Sequence, residues 1–260
     1  MTRYISQKRR TREDGRFVAG HGHFVADIKR PGMTHVAMVQ SPVPSARIKS
    51  IDVSQALAVP GVIDVITGRE LAEHTRPHQN ALDTPGVVVY PMAVDQVRFA
   101  GEWVVAVVAT SRHIAEDAAE LVEVDYELTD FVVDPEQAML DHAPVVHEKH
   151  GSNILLSKEF TWGPVEQDIE NSDHRIGFRV RWGRNATVPI ETFGVVADWN
   201  RGSGILDVWA SIQMPSYAES IASMLNIPLN TVRAHYDVDV GGSYGVKRGL
   251  KHTIVDRGSP

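Results

Sequence analysis

A continuous apolar run, Val104 to Ala109, passes directly into Thr110 and Ser111, and this junction limits the possible folds more than any other stretch. Six apolar residues without a polar break suit a strand covered on both faces. Thr110 or Ser111 can cap a following helix in which Ile114, Ala118, Leu121 and Val122 fall at helical spacing and Glu116, Asp117 and Glu120 face water. In VEVDYELT, Val124, Tyr126 and Leu128 then alternate with Asp125 and Glu127, the two-residue period of another strand. Strand, helix and strand in immediate succession predict an α/β or α+β domain rather than a sandwich. The acidic residues of this stretch read as a solvated helix face and a strand edge, not as a catalytic carboxylate pair.

Upstream, from Gly20, short β-like runs are punctuated by Gly and Pro. Phe24 to Ile28, Thr34 to Val39, Ala46 to Val53 and Val62 to Thr67 are expected as strands, with a short helix from Ser54 that Pro60 stops. Glu70 to Val89 is polar and aperiodic and predicts a surface loop. His74 and His78 stand at a spacing that could ligate a metal on a helix, but Pro77 lies between them and no third ligand is evident, so they read as solvated histidines. Asp134 to Gly151 shifts in composition and predicts an interdomain connection with one short helix, in which His142, His147 and His150 are simply exposed. Beyond it, Leu155 to Trp162, Arg175 to Trp182, Phe193 to Trp199 and Ile205 to Ile212 are expected as strands. Ser216 to Asn226 is expected as a helix opened by a Ser216–Glu219 capping box, with Ile221, Met224 and Leu225 as its buried stripe.

With 260 residues and 43% hydrophobic content the chain can bury at least one substantial core. Its formal net charge of -7 and lack of a long basic run argue against nucleic acid or an anionic membrane as main partner. Arg9 and Arg10 are not followed by an apolar signal segment, and no run approaches the roughly 18 apolar residues of a membrane helix, so the N-terminus reads as the polar arm of a cytoplasmic protein. The absence of cysteine excludes disulfides, a cysteine-ligated zinc, an iron–sulfur cluster held by this chain and a cysteine nucleophile. Redox metal chemistry would have to come from a bound cofactor or a partner.

The last well-patterned stretch is Thr231 to Lys247, TVRAHYDVDVGGSYGVK. Val232, Ala234, Tyr236, Val238 and Val240 alternate with polar residues, predicting a strand that runs straight into Gly241, Gly242 and Gly245. Such a loop lets backbone approach a ligand closely and leaves N–H groups free to donate, although a tight turn or a small-anion site would read the same way. A P-loop is set aside because Val246 separates Gly245 from Lys247 and Arg248 follows.

These stretches together resemble the molybdenum-cofactor-binding large subunits of the xanthine dehydrogenase, aldehyde oxidase and carbon monoxide dehydrogenase group. GHGHFVADIKRPGMTHVAMVQSPVPSARIKSIDVSQALAVPGVIDVITGREL and PMAVDQVRFAGEWVVAVVATSRHIAEDAAELVEVDYELTDFVVDPEQAM resemble the α/β hammerhead domain. RNATVPIETFGVVADW, LDVWASIQMPSYAESIASMLNIP and VDVGGSYGVK resemble the start of the molybdopterin-binding domain. The resemblance implies an α+β chain with a polar arm over 1–18, the hammerhead domain over 19–133, a linker over 134–151 and an incomplete cofactor domain over 152–260. Gln213 stands where the family's glutamine amide hydrogen-bonds an oxo ligand of molybdenum, a task suited to an uncharged donor. Gly241, Gly242, Ser243, Tyr244 and Gly245 occupy the family's Gly-Gly-x-Phe-Gly loop, whose backbone contacts the pterin.

The implied activity is hydroxylation of an aldehyde, carbon monoxide or an N-heterocycle with oxygen from water. The implied cofactor is molybdenum–molybdopterin, in a dinucleotide form, with 2Fe-2S and FAD only in partner subunits. Ser243 stands for the family's third glycine, Ser216 follows where the family has histidine, and Arg248 stands where purine-oxidising members have glutamate, so guanine-like or xanthine-like substrate recognition is not implied. RGLKHTIVDRGSP offers only the start of a helix, and the family's general base lies downstream. The expectation is therefore a split or truncated subunit that works beside the remaining half of the molybdenum subunit, an iron–sulfur subunit and a flavin subunit. The alternative is a non-catalytic scaffold that retains the hammerhead without cofactor.

Overall fold

The structure, a computed structural model, describes residues 11–78, 84–183 and 188–248. In chain order its elements are α1 (Asp14–Val18), β1 (His35–Gln40), β2 (Ala46–Asp52), α2 (Ser54–Leu57), β3 (Val62–Thr67), α3 (Gly68–His74), β4 (Gln96–Val97), β5 (Trp103–Ala109), α4 (Arg112–Ala119), β6 (Glu123–Leu128), α5 (Pro135–Ala138), α6 (Val165–Glu170), β7 (Val195–Asn200), β8 (Ile205–Ala210), α7 (Tyr217–Leu225) and β9 (Val232–His235). Two compact units result, one from Thr34 to 183 and one that joins 11–33 to 188–248. The stretch 134–151 lies inside the first of these.

The unit from Thr34 holds two antiparallel three-stranded sheets, ordered β1-β5-β3 and β4-β2-β6. β5 is central in its sheet, and all six residues Val104–Ala109 are buried, as a strand covered on both faces requires. Val104, Val105 and Val107 share a core with Ala46, Val65, Val97 and Ala118 of α4. The Ser111 hydroxyl caps α4 by accepting the Ile114 N–H, one of the two caps the sequence offered.

Glu70 to Val89, expected as a loop, begins as helix α3. Thr67 opens it with a reciprocal box: its hydroxyl accepts the Glu70 N–H at 3.3 Å and the Glu70 carboxylate accepts the Thr67 N–H at 2.8 Å. His74 is therefore helical, His78 lies outside the helix, and 79–83 fall outside the described residues. Asp134 caps α5 through the Glu136 and Gln137 N–H groups.

The expected strands Leu155–Trp162 and Arg175–Trp182 do not form, because an apolar pattern makes a strand only where a neighbour supplies a backbone ladder. Their apolar residues face outward: Phe160 and Trp162 stack at 5.8 Å, and Ile176, Phe178, Val180 and Trp182 are each at least 71% exposed. Arg179 and Arg181 tie the second arm to Glu136 and Asp134.

In the other unit β7 and β8 form an antiparallel hairpin, and β9 returns parallel to β8 through α7. Leu206, Val208 and Ala210 of β8 pack against Tyr217, Ile221, Ala222 and Leu225 of α7. The opposite face is covered by Val25 and Ile28, which meet Val196, Val238 and Trp209. Phe24–Ile28 is thus not a strand; Val25–Asp27 forms a 3-10 turn in which the Asp27 carboxylate accepts the Phe24 N–H at 2.9 Å.

Two local expectations fail for backbone reasons. Ser216 precedes α7, but its ψ of 31° is not the extended conformation from which a hydroxyl can reach the third helical N–H, so the Ser216–Glu219 box does not form. The strand expected over Thr231 to Val240 ends at His235. Past it the Asp239 N–H donates to the His23 carbonyl at 2.7 Å instead of to a sheet neighbour, and Tyr236 and Val240 are exposed. The residues from 249 on, where a helix was expected to begin, lie outside the described residues. No helix among the described residues is long and apolar enough to cross a membrane.

Candidate cofactor-binding site

Topology explains why distant residues converge. β8 and β9 are parallel and leave the sheet at one edge, and β7, antiparallel to β8, begins there with Val195 opposite Ala210. The chain before β7, the turn after β8 and the loop beyond β9 are therefore delivered to one place, the usual position of ligand sites in sheets with parallel strands.

Gln213, in the turn after β8, donates its backbone N–H to the Lys247 carbonyl at 3.2 Å. The turn is also held by the Tyr236 hydroxyl, which donates to the Pro215 carbonyl at 2.8 Å. The Gln213 side chain is exposed and its amide pairs with none of the described residues. The loop Gly241, Gly242, Ser243, Tyr244 and Gly245 thus lies beside Gln213, joined through Lys247.

Three residues of the loop sit at positive φ: Gly242 at 91°, Tyr244 at 47° and Gly245 at 92°. Tyr244 is 74% exposed. Val246 N–H donates to the Ser243 carbonyl at 2.9 Å as the chain turns into a short 3-10 segment at Val246–Arg248. Among the described residues the N–H groups of Gly242, Ser243, Tyr244 and Gly245 meet no acceptor. A polar, acceptor-rich ring or an oxyanion is what such a row of donors can hold, so the donor set fits a pterin and its metal end.

The group that organises this edge is Glu191, which the sequence did not single out. Its Oε2 accepts from the Ser211 hydroxyl, the Gly241 N–H and the Lys247 ammonium, each at 2.6 Å. Lys247 is fully buried while Glu191 keeps partial exposure. Burial alone would raise the Glu191 carboxyl, but the hydrogen bonds from Lys247, Ser211 and Gly241 outweigh it and hold the group below its ordinary range. Gly241 is needed for a steric reason as well: a Cβ there would lie 2.5 Å from the Glu191 Cβ. The local text around Glu191, PIETFG, carries no period or motif; only its place inside the family-like stretch RNATVPIETFGVVADW could have flagged it.

Away from this edge, His235 stacks on Trp209 at 4.4 Å and meets Asp207 at 2.7 Å, and His150 bridges the Pro85 and Ile154 carbonyls. Among the described residues no group of three or more His, Asp or Glu is arranged as metal ligands.

Comparison with known proteins defines the class first: α+β subunits of cofactor-dependent oxidoreductases. Residues 19–130 match the aldehyde oxidase and xanthine dehydrogenase a/b hammerhead domain, and residues 146–255 match the molybdopterin cofactor-binding domain. The chain belongs to the family of molybdenum-cofactor-binding large subunits of xanthine dehydrogenase, aldehyde oxidase and carbon monoxide dehydrogenase. It is 33% identical, over 95% of its length and 32% of the relative's, to subunit gamma of the 6-hydroxypseudooxynicotine dehydrogenase complex of Paenarthrobacter nicotinovorans. It is 34% identical to the carbon monoxide dehydrogenase large chain of Hydrogenophaga pseudoflava, over 92% of this chain and 31% of that one. The crystal structure of quinoline 2-oxidoreductase from Pseudomonas putida 86 superposes with a TM-score of 0.80 at 34% identity, over 91% of this chain and 30% of that one. The chain thus spans about a third of the length of these relatives.

Proposed function

We propose that this chain supplies one wall of the cofactor pocket of a molybdenum hydroxylase. Gly242, Ser243, Tyr244 and Gly245 would hold the pterin and the metal end through their backbone donors, with Gly241 opening the loop, and the Gln213 amide would donate to the metal end. The hydrogen bond between the Gln213 N–H and the Lys247 carbonyl carries this reading, because it makes the turn and the loop two parts of one surface. The cofactor, in a dinucleotide form, would supply the two-electron chemistry by which oxygen from water enters the substrate.

The substrate is an aldehyde, carbon monoxide or an N-heterocycle, a range that the names of the relatives share. Without cysteine the chain cannot hold an iron–sulfur cluster, so electrons leave through iron–sulfur and flavin partner subunits. The general base and the opposite wall come from the remaining part of the molybdenum subunit, and the isolated chain is inactive. The complex is cytoplasmic. The domain boundaries expected from the sequence, hammerhead over 19–133 and cofactor domain from 152, belong to the same proposal.

The test is metal and pterin analysis of the purified assembly that contains this chain. Molybdenum by mass spectrometry and pterin by fluorescence after oxidation should both co-purify in a near-constant ratio to the polypeptide. A folded, intact assembly lacking both would overturn the reading and leave a scaffold.

A further inference from the structure

We infer that Glu191 is a positioning residue for the cofactor: its carboxylate, locked by the buried Lys247 ammonium, sets the shape of the Gly241–Gly245 loop and the placement of Gln213. This rests on the reading of the site given above.

The loop does little to fix its own shape. It holds three positive-φ residues, and the N–H groups of Gly242 to Gly245 meet no acceptor among the described residues, so its form depends on what grips its two ends. One oxygen atom grips both: Glu191 Oε2 takes the Gly241 N–H at the entry and the Lys247 ammonium at the exit, each at 2.6 Å. The same oxygen takes the Ser211 hydroxyl, which registers the loop against the end of β8 two residues before Gln213. Lys247 then passes the constraint on, since its ammonium is in the clamp and its carbonyl accepts the Gln213 N–H. Loop and glutamine are thus referred to one anionic atom that points away from neither.

The chemistry requires a carboxylate at this position. Three donors on one oxygen demand concentrated negative charge, and a buried ammonium without a partner anion is strongly disfavoured. An amide of the same size keeps the volume but accepts less strongly and turns donors toward donors, so Glu191→Gln loosens the clamp while filling the same space. The carboxylate also lies under the loop, which passes within contact distance only because Gly241 has no side chain.

The experiment compares the wild-type assembly with Glu191→Gln, Ser211→Ala and, as a control on the α7 face of the same unit, Ile221→Val. Molybdenum and pterin content per chain are read together with thermal melting. Hydrogen exchange of peptides spanning 211–215 and 241–247 is followed in cofactor-free protein. Glu191→Gln should retain about 10-fold less cofactor, in line with the loss caused by removing outer-shell partners, and should exchange faster in both peptides while β8 and α7 stay protected. Ser211→Ala should show a smaller change of the same kind, and it remains informative if Glu191→Gln fails to fold. Ile221→Val should melt lower yet keep its cofactor.

Full cofactor content in folded Glu191→Gln and Ser211→Ala would overturn the inference while leaving the proposed site intact. Equal cofactor loss in Ile221→Val at matched melting temperature would overturn it too, by reducing Glu191 to a general stability role. A wild-type assembly without molybdenum or pterin removes the reading of the site and the inference with it.

Discussion

Asp239 shows how one side chain can join the two ends of a discontinuous unit. Arg16 donates to its two oxygens at 2.5 and 2.6 Å, and the His23 N–H adds a third bond at 2.8 Å. The Arg16 bonds, followed by the one from His23, lower the carboxyl to about 2 from an ordinary 3.8. Because the folded value is depressed, the stabilisation is fully present above the ordinary carboxylate range and is lost as pH falls through about 2. Carbon-detected NMR should find the Asp239 carboxyl titrating near the lower value, and a midpoint near 3.8 would remove the pairing. The pairing was not legible beforehand. Asp239 read as the polar side of a strand, and Arg16 belonged to an arm with no pattern; nothing local in either predicts a partner 223 residues away.

At the level of elements, legibility followed whether a segment's pattern had a partner. β3 is legible to the residue because Val62–Thr67 is rich in β-branched residues, follows the Pro60-Gly61 turn and pairs with β5, and β5 is legible to within a residue because only a central strand carries so continuous an apolar run. The segments either side of α6 read as strands from their apolar residues, with Ile176, Phe178, Val180 and Trp182 in strict alternation, yet form no ladder among the described residues, and single-strand pattern cannot report a missing neighbour. α3 was legible in principle, since Thr67-x-x-Glu70 is the capping signature, but the polar text after it masked a seven-residue helix. α7 was found through its buried stripe, although its predicted capping box was wrong. Ile221 in that stripe is fully buried between α7 and β8. Ile221→Ala should cost about 2–5 kcal/mol in denaturant unfolding; a cost below about 0.5 kcal/mol would mean that α7 is not docked on the sheet. The site divided similarly. Gln213 and the glycine loop carry recognisable neighbours in sequence, whereas Glu191, Ser211 and Lys247 meet only through the convergence of three chain segments at one sheet edge.

On the scale of the whole chain, the arms pose the main physical question. Phe160 and Trp162, and the alternating row Ile176, Phe178, Val180 and Trp182, are between 70% and 86% exposed, more large apolar surface than an isolated chain in water ordinarily leaves open. The chain spans about a third of its relatives' length, and the row is consistent with the proposal that further polypeptide completes the molybdenum subunit. Purified alone, the chain should self-associate, with an apparent mass in light scattering that rises with concentration. Phe178→Ser together with Trp182→Ser should suppress that rise without lowering the melting temperature; a monomer at all concentrations would show that the row is harmless in water.

The Arg16–Asp239 bridge also bears on synthesis. At about 5–20 residues per second, the 223 residues that separate its partners take roughly ten to forty-five seconds to emerge. The region from Thr34 can fold during that interval, while Arg16, Val25 and Ile28 wait without their counterparts. These residues are therefore made well before the partners they need, and a chaperone that shields them would act before the glycine loop has been made.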